Sequence, residues 1–569
     1  MRKHVLTLIL AGATAPAFAI DYTATSGLGM TLEQQSTRFD VAELSFKVDP
    51  TKKTLAGEAR LTFTPKHAIQ QFAIELDPRY ALSRFEVNGK VLSKSEYSWK
   101  EGRISFPVAA SANTAFEVKL VYAGSPQVAK RAPWDGGIVW AKTPSGQPWI
   151  ATAVEGEGCD LLWPCVDHPM GKPLQVIQHI TVPQGLVAAS NGVFLGESSK
   201  DGWTTYNWKA TEPTTYAIAL NIAPYDTLKS NYQSRFGNTL PMVFYYLKGN
   251  DAKARGLYEE LPLYLNFFEE VVGPYPFPKD KVGIVETPHL GMEHQTINAY
   301  GNGYKKDING YDWLMNHEFA HEWFGNQITN ADWDDMWLHE GFAMYMQPLY
   351  LEWLRGRVNY DAEMLRQRGL IRNAHAMVSG KPRPHGEAAA EAIDPGTDIY
   401  YKGAWILHTL RNQIGDAAFR RSMRELVYGR NDPKPGNFKP RYATTNDYVA
   451  IVDKITGKKW AWFFDAYVRE AKIPALVATQ SGHRVNVEWQ TGNGKPFPLP
   501  IDVRVGNRVV KLPMNQGKGS FELKPFETYT LDPDSKVLKD QPEIAAWRKD
   551  EAERAAVAAA AAAAAKRGK

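Results

Sequence analysis

Residues 317–340 read HEFAHEWFGNQITNADWDDMWLHE, with two histidines four positions apart and then a glutamate, separated from the second histidine by eighteen residues. If the first part is helical, His317 and His321 lie on one face about 6 Å apart, where they can bind one metal ion together. Glu340 would add an oxygen ligand from a later helix. The alternative is an amphipathic core helix that carries two histidines without a metal.

Two neutral nitrogens and one carboxylate, with a fourth position open, form the ligand set of a catalytic zinc site. Structural zinc sites are closed and usually contain several thiolates. Glu318 follows the first histidine, so it is not expected to bind the metal but to accept a proton from a water molecule beside it. The stretch therefore predicts a zinc hydrolase with one zinc ion per chain.

Three motifs in this sequence resemble those of the M1 family of zinc aminopeptidases. The first is the His-Glu-x-x-His motif with its distant glutamate, in the context WDDMWLHEG at residues 333–341. Upstream, GMEH at residues 291–294 is similar to the Gly-x-Met-Glu-Asn motif, and downstream YYKG at residues 400–403 is similar to the Tyr-x-Lys-Gly motif. The resemblance covers about residues 36–535 and implies an aminopeptidase with a thermolysin-like catalytic domain and peptide substrates.

The resemblance also implies roles for residues outside the metal site. Glu293, with Met292 and Gly291 beside it, would bind the amino terminus of the substrate. Tyr400, rather than Tyr401, would donate a hydrogen bond to the oxyanion, because Lys-Gly follows it at the family spacing.

A second acceptor for the substrate's amino terminus is expected in the segment EGEGCDLLWPCVDHP at residues 155–169. Its Pro-Cys-x-Asp-x-Pro core resembles the N-terminal domain of M1 enzymes, in which an acidic or amide residue precedes the proline by nine positions. That count identifies Glu155, with Glu157 as the competing carboxylate and a solvated turn carboxylate as the alternative.

The sequence departs from the family pattern at several positions. His294 stands where the motif has Asn, and Leu290 stands where it has its first Gly, so the backbone beside the substrate can differ. His339 precedes Glu340 where Asn is usual, but the next position on a helix points about 100° away, so His339 is not expected to be a ligand. The large C-terminal helical domain of many M1 members is absent from the resemblance.

Composition and charge limit the class of protein. A chain of 569 residues is too long to fold around one hydrophobic core, and it suggests three or four domains. Its content of 44% hydrophobic and 22% charged residues is ordinary for a soluble protein. A net charge of +4 gives no support for a nucleic acid partner or an anionic membrane. Oligomeric state and the preferred N-terminal residue are not indicated by the sequence.

Residues 1–19 have the pattern of a signal peptide: a basic start, an apolar run and an Ala-Phe-Ala cleavage site. The apolar run is too short to be a membrane span, and no later stretch is long and apolar enough to be one. We expect an exported protein, periplasmic or secreted. Cys159 and Cys165 could form a disulfide or remain buried free thiols, and the interpretation leans slightly toward free thiols.

The expected fold class is multidomain α+β. Alternating apolar residues in 20–225 predict a mainly antiparallel β-domain, in which Asn88-Gly89 is a hairpin turn. Residues 226–472 form the mostly helical catalytic domain, 473–535 a small β-sandwich, and 536–569 an Ala-rich tail that is expected to be disordered. Within the catalytic domain, residues 257–272 are predicted to be helical.

The two metal-binding helices have predicted boundaries. The first should begin near Asn309 and end at Gly325. The second should open at Asp334-Asp335, whose charges suit a helix N-terminus, and end or kink at Pro348.

Three rival functions remain. A thermolysin-type endopeptidase would lack the carboxylate that Glu293 supplies. An epoxide hydrolase, as in one M1 branch, would need an Asp and a second Tyr where this chain has Ala392 and Pro395. A non-enzymatic binding module is opposed by the intact ligands, base and tyrosine.

Overall fold

The structure, a computed structural model, describes residues 26–27, 29–389, 398–544, 546–550, 553–554 and 556–557. The predicted signal peptide lies outside the described residues, as do Ala392 and Pro395. Within the described part, the chain forms an N-terminal β-rich domain, a helical catalytic region and a C-terminal pair of small sheets.

The N-terminal domain consists almost entirely of strands, as alternation of apolar residues predicted. Its elements are α1 (Leu32–Gln35), β1 (Thr37–Asp49), β2 (Thr54–Pro65), β3 (Ile69–Glu75), β4 (Tyr80–Val87), β5 (Lys90–Val91), β6 (Ser98–Lys100), β7 (Arg103–Ala110), β8 (Phe116–Gly124), β9 (Gly137–Lys142), β10 (Pro148–Ala153), β11 (Gln175–Pro183), β12 (Val187–Ala189), β13 (Val193–Lys200), β14 (Trp203–Thr211) and β15 (Asn221–Ala223).

These strands form three sheets in the described residues. The largest has the order β13-β14-β11-β1-β2-β8-β4-β5, and the others are β3-β7-β6 and β12-β15-β10-β9. Pairing within them is antiparallel except between β1 and β11, which run parallel. The Asn88-Gly89 hairpin is confirmed, since Val87 pairs with Lys90 and both turn residues have positive φ.

The catalytic region begins with a mixed sheet and continues mainly as helices. Its elements are β16 (Tyr225–Gln233), β17 (Thr239–Leu247), α2 (Asp251–Tyr258), α3 (Leu261–Val271), β18 (Val282–Glu286), β19 (Gly291–Met292), β20 (Asn298–Tyr300), α4 (Trp313–Ala320), β21 (Ile328–Asn330), α5 (Trp337–Arg355), α6 (Arg357–Arg368), α7 (His385–Ala388), α8 (Asp398–Ile414), α9 (Asp416–Tyr428), β22 (Arg441–Ala443), α10 (Thr445–Thr456) and α11 (Ala461–Tyr467).

The order of the mixed sheet, β16-β17-β18-β20-β19, places the short strand β19 at its edge, against helix α4. The predicted helix over residues 257–272 is in fact two helices, because the chain turns at residues 259–260 and Pro262 lies in the first turn of α3. A proline is tolerated there since the first-turn N–H has no intrahelical acceptor.

The first metal-binding helix begins later and ends earlier than predicted. Asn309 lies in a turn, where its N–H donates to Asp307. Asp312 is the N-cap instead, because its carboxylate accepts the N–H of Met315 at 3.0 Å. The helix α4 ends at Ala320, before the predicted Gly325.

The second metal-binding helix also differs from its predicted bounds. Asp334 and Asp335 lie in a short 3₁₀ helix, and α5 begins after them at Trp337. Pro348 does not end α5, which continues to Arg355. The proline leaves the carbonyl of Met344 without its helical N–H, and the side chain of Gln367 donates to that carbonyl at 3.5 Å.

Two three-stranded sheets, β23-β24-β27 and β26-β25-β28, face each other at the C-terminal end of the described strands. The strands are β23 (Ala475–Ser481), β24 (Arg484–Gln490), β25 (Ile501–Val505), β26 (Arg508–Leu512), β27 (Lys518–Glu522) and β28 (Tyr529–Leu531). Their core is continuous with that of the helices, since Phe497 packs on Trp462 and Tyr467 with ring centroids 5.2 and 5.3 Å apart.

The expectation of disorder is wrong for the first part of the tail. Val537 and Leu538 are buried, and residues 542–544 and 546–550 are helical. Arg548 donates to the carbonyl of Gly369 at 2.7 Å, beside the ring of Trp547. Of the alanine run at 555–565, only residues 556–557 are described.

The leaning toward free thiols is also wrong, because Cys159 and Cys165 form a disulfide with their Cα atoms 6.3 Å apart. A 3₁₀ turn over Cys159–Leu161 reverses the chain and brings the two side chains together in the buried interior. Among the described residues, no helix combines the length and apolarity needed to cross a membrane.

Candidate active site

His317, His321 and Glu340 meet in the interior of the catalytic region. The Nε2 atoms of the two histidines are 3.3 Å apart, and Oε2 of Glu340 lies 3.3 Å from that of His317 and 3.5 Å from that of His321. All three residues are buried. His317 lies within α4, His321 caps its end, and Glu340 lies in the first turn of α5.

The spacing of these three atoms fits a zinc ion. Ligands about 2.0–2.1 Å from a tetrahedral centre are about 3.3 Å apart, which is the edge of that tetrahedron. The Nδ1 of His321 donates to the carbonyl of Phe324 at 2.8 Å, so its Nε2 is left with the lone pair that a metal requires. The donor set has no thiolate and agrees with a catalytic site.

Electrostatics at the site also favour a dication. Burial lowers the pKa of His321, but Glu340, Glu293 and Glu318 outweigh it and raise that pKa to about 10. Burial opposes ionisation of Glu340, yet the two imidazoles hold its pKa well below the usual range. The negative charges around His321 therefore favour a cation at this position, which a metal ion would supply.

The carboxylate of Glu318 lies beside Gly291 of the edge strand β19. A Cβ built on Gly291 would be 2.4 Å from Oε1 of Glu318 and 2.8 Å from Leu314. A side chain at position 291 would therefore displace the carboxylate, and glycine allows this close approach. Burial raises the pKa of Glu318 well above its usual value, and the negative charges of Glu293 and Glu340 add to the effect.

Tyr400 reaches the metal-binding residues from α8, with its ring 6.0 Å from that of His317. Burial and the charge of Glu340 raise the pKa of its hydroxyl well above 10, so the group remains a neutral donor. Tyr401 instead lies beside Arg366.

The close contact of α5 and α8 depends on two glycines. A Cβ on Gly341 would be 3.0 Å from Cα of Gly403, and a Cβ on Gly403 would be 2.8 Å from Cα of Gly341. Gly341 follows the ligand Glu340, and Gly403 lies one turn beyond Tyr400. Their contact therefore brings Glu340 and Tyr400 to the same place.

Glu293 lies next to Glu318 and His321, and one side-chain ligand atom from each of the three lies within 4.8 Å of the others. Its carboxylate is oriented by Tyr216, whose hydroxyl donates to Oε1 at 2.7 Å. Its backbone carbonyl accepts from Nδ2 of Asn326 at 3.0 Å. Met292 is buried beside it in β19.

Of the two candidate carboxylates in the β-domain loop, Glu155 faces the site. Its negative charge raises the pKa of both Tyr216 and Tyr400. Glu157 turns away and accepts the backbone N–H of Gly136. Glu155 is therefore the candidate whose charge acts on Tyr216 and Tyr400, whereas Glu157 holds the loop through Gly136.

The departures from the motif pattern introduce neutral, buried histidines. The Nε2 of His339 accepts the backbone N–H of Asn330 at 3.0 Å, so it is directed away from the metal ligands, as its helical position predicts. Burial lowers the pKa of His339 and of His294 to about 3. Neither side chain adds charge to the site.

Tyr216, Asn326 and His385 contribute to the site but were not predicted. Tyr216 lies 77 positions before Glu293, and His385 has its Nε2 3.8 Å from Oε2 of Glu155. Neither residue stands at a fixed spacing from a motif, so no local pattern identifies it. Asn326 is only five positions after His321, but what identifies it is its burial, which cannot be seen in the sequence.

Comparison with known proteins shows which family the chain resembles. Residues 258–467 match the model described as the peptidase family M1 domain. The chain is 23% identical to "Probable aminopeptidase 2" of Sulfurisphaera tokodaii, over 72% of this chain and 52% of that protein. It is 24% identical to "Leucyl aminopeptidase" of Saccharolobus solfataricus, over 80% of this chain and 56% of that protein. The chain thus spans about half the length of these curated relatives.

Solved structures share the fold over nearly their whole length. An M1 zinc metallopeptidase from Deinococcus radiodurans has a TM-score of 0.64 at 23% identity, and the match covers 79% of this chain and 98% of that one. A mutant of an M1 zinc metallopeptidase from the same organism, bound to a Tyr-Ser-Ala substrate, gives a TM-score of 0.64 at 22% identity, with the same coverage. Residues 258–467 therefore match a peptidase family M1 domain, and the chain looks like an M1 aminopeptidase.

Proposed function

We propose that this protein is a zinc aminopeptidase that hydrolyses the N-terminal peptide bond of peptides. The observation that carries the proposal is the position of Glu293, with ligand atoms of Glu293, Glu318 and His321 within 4.8 Å of one another. A carboxylate that can bind a substrate ammonium thus adjoins both the proposed base and a metal ligand. A charge-assisted hydrogen bond gives such a group both affinity and orientation.

This proximity favours cleavage after the first residue. Within one residue, the amine nitrogen and the carbonyl carbon are separated by two bonds, about 2.5 Å through space. An ammonium held by Glu293 therefore brings the first carbonyl of the peptide to the metal site. Carbonyls further along the chain are too distant, so an endopeptidase would not benefit from a carboxylate at this position.

The zinc ion would be held by His317, His321 and Glu340, and when bound it supplies Lewis-acid chemistry that acidifies water and polarises a carbonyl. Glu318 is placed to take the proton of the attacking water. Its buried surroundings raise its pKa, which makes the carboxylate a better proton acceptor than an exposed one. The same carboxyl then donates this proton to the leaving amine.

Tyr400 would stabilise the negative charge that develops on the carbonyl oxygen. Its hydroxyl stays protonated across the physiological range, because burial raises its pKa. One preorganised donor of this type contributes about 3–4 kcal/mol to the transition state. The contact between Gly341 and Gly403 keeps the donor in place before substrate binds.

We also propose that the protein is exported to the periplasm or secreted, on the basis of residues 1–19. The disulfide between Cys159 and Cys165 supports this, since disulfides persist mainly in oxidising compartments. N-terminal sequencing of the mature protein should begin at Ile20. A mature chain that retains Met1 would contradict the proposal.

The decisive experiment is a panel of aminoacyl fluorogenic substrates, each with a free or an N-acetylated amine. The zinc-loaded protein should hydrolyse the free forms, and acetylation should reduce kcat/KM at least about 100-fold, because the ammonium is lost. Removal of zinc with a chelator should abolish hydrolysis, and adding zinc back should restore it.

Other outcomes would indicate the rival functions. Equal cleavage of capped and free substrates would indicate an endopeptidase. One tightly bound zinc ion per chain without any hydrolysis would indicate a binding module.

A further inference from the structure

The segment Ser26–Gly27 makes contacts with both domains beside the proposed active site. Ser26 donates its backbone N–H to the carbonyl of Gly156 at 2.8 Å, and its hydroxyl donates to Asp167 at 2.9 Å. These partners belong to the loop of the β-domain that carries Glu155. The carbonyl of Ser26 accepts the backbone N–H of His385 in the catalytic region at 3.0 Å. Ser26 thus links the two regions with its backbone and side chain.

The adjacent Gly27 is pressed against a tryptophan of the catalytic region. A Cβ on Gly27 would be 2.2 Å from Cδ1 of Trp333, and the φ of +84° is in the region that favours glycine. The indole N–H of Trp333 also donates to the hydroxyl of Ser26 at 3.4 Å. No other residue type fits at position 27 without moving the segment or the indole.

His385, whose backbone N–H donates to Ser26, lies against Glu155. The Nε2 of His385 is 3.8 Å from Oε2 of Glu155, and its ring packs edge-on against Trp333 with centroids 4.9 Å apart. A Cβ on Gly156 would be 3.2 Å from Nδ1 of His385, so the loop and the imidazole are in close contact. Ser26, Gly27, Trp333 and His385 therefore contact one another, and they join the loop that carries Glu155 to the catalytic region. We refer to these four residues as the N-terminal clamp.

We propose that the N-terminal clamp positions Glu155 as the second acceptor for the substrate ammonium. The inference rests on the proposed aminopeptidase function. Glu155 lies between two domains, in a loop that contains Gly156 and Gly158, and such a loop is flexible unless other groups hold it. The clamp joins this loop to the catalytic region, where the metal ligands and Glu293 are located. It acts through Glu155 and has no contact with the reacting atoms.

The test compares two zinc-binding inhibitors on the zinc-loaded, full-length protein. One is the hydroxamate of the amino acid that is preferred in the substrate panel, and the other is the same hydroxamate without the amine. Both bind zinc through the hydroxamate, but only the first carries an ammonium. The ratio of their inhibition constants therefore reports on the amine site alone, and a general disturbance of the metal site changes both constants equally.

Gly27→Ala should weaken the amine-bearing hydroxamate about tenfold and raise KM, with the amine-free analogue and kcat changed less than about twofold, because a misplaced binding group loses orientation. The matched control is Gly29→Ala, since nothing lies within 4 Å of a Cβ at that position. Ser26→Ala should give a smaller change in the same direction. Because this variant keeps both backbone hydrogen bonds of residue 26, it serves as the test if Gly27→Ala does not fold.

A double-mutant cycle identifies the residue through which the clamp acts. In a Glu155→Gln background, Gly27→Ala and Ser26→Ala should no longer change the ratio of the inhibition constants, because the group they position has been neutralised. The proposal is overturned if both variants leave the ratio at the wild-type value, or if their effects are fully additive with Glu155→Gln. Either result leaves the aminopeptidase function intact, since that is established by wild-type hydrolysis of free but not acetylated substrates.

Discussion

The proposed metal ligands and the proposed amine-binding carboxylates lie side by side but are assembled differently. His317, His321 and Glu340 come from two helices within 24 consecutive residues, and the pitch of one helix sets the separation of the histidines. Glu293 and Glu155 come from a sheet edge in the catalytic region and a loop of the β-domain. Tyr216 donates a long-range hydrogen bond to Glu293, and the N-terminal clamp contacts the loop that carries Glu155.

This difference in assembly separates the residues proposed for catalysis from those proposed to recognise the substrate's amino terminus. The metal site depends on local helix geometry, and it should tolerate changes in the β-domain that leave the helices intact. The amine site depends on contacts between residues distant in sequence, and it should be sensitive to single hydrogen bonds far from the metal. The following predictions test this division, from the largest expected effect to the smallest.

Glu318→Gln should lower kcat by about 10²–10⁴-fold, the usual contribution of a general acid–base group, while the zinc content stays at one per chain. Glu318 is not a ligand, so the metal should remain. Steady-state kinetics and elemental analysis of the same preparation measure both quantities.

The matched control for that prediction is Glu340→Gln, which removes a ligand and should lower the zinc content as well as kcat. If Glu318→Gln also loses its zinc, then Glu318 belongs to the metal-binding set, and the assigned roles of the two glutamates are wrong.

Glu293→Gln should lower kcat/KM for substrates with a free amine about 100-fold, because the buried ammonium loses its charged partner. Zinc content should be unchanged. Inhibition by the amine-free hydroxamate should stay within about twofold of wild type, which would show that the defect is confined to recognition. A similar loss of affinity for both hydroxamates would instead indicate that Glu293 supports the metal site.

Tyr216→Phe should lower kcat/KM about tenfold, since a hydrogen bond to a charged group contributes about 1.5–3 kcal/mol and the second carboxylate remains. The effect should appear mainly in KM. Tyr258→Phe is the control, because it removes a hydroxyl that donates to the carbonyl of Met242 on another face of the region. Equal kinetics for the two variants would mean that Tyr216 does not orient Glu293.

Asp160 lies in the 3₁₀ helix Cys159–Leu161, five positions after Glu155, and provides the smallest test, which is on stability. Both of its carboxylate oxygens are buried without a hydrogen-bond partner in the described structure. Burial raises its pKa well above the usual value, with contributions from the negative charges of Asp167, Asp77 and Glu75. Since the folded protein binds this proton more tightly than the unfolded chain, the free energy of unfolding falls as pH rises from about 4 through the folded pKa.

Asp160→Asn removes this ionisation, so the Tm of the variant relative to wild type should be about 1–3 °C more favourable at pH 8 than at pH 5. Any effect of the amide on Tm that does not depend on pH cancels when the two pH values are compared. Thermal melts of the oxidised protein measure the difference, with Asp201→Asn as an exposed control. A relative Tm that does not change with pH would show that Asp160 is ionised in the folded protein at both values.

Much of the fold and metal site followed from local patterns. Alternating apolar residues predicted the β-domain and sandwich, and the helical spacing placed His317 beside His321. The predicted start of the first helix was wrong, because Asp312 rather than Asn309 caps it, and α5 continues past Pro348, where Gln367 donates to the freed carbonyl of Met344. Gln367 is 23 residues away from Met344, so this contact has no signature in the local sequence, whereas the Asp312 cap acts between near neighbours.

The sequence by itself determined the ligands, the base and the identity of the amine-binding glutamates as candidates. Only the tertiary structure decided that Glu155 rather than Glu157 faces the site, that Cys159 and Cys165 are bonded, and which distant residues hold the carboxylates. The physical reason is the range of the forces involved. Helix pitch and strand alternation act between near neighbours, whereas the orientation of a buried carboxylate depends on donors from segments that meet only after folding.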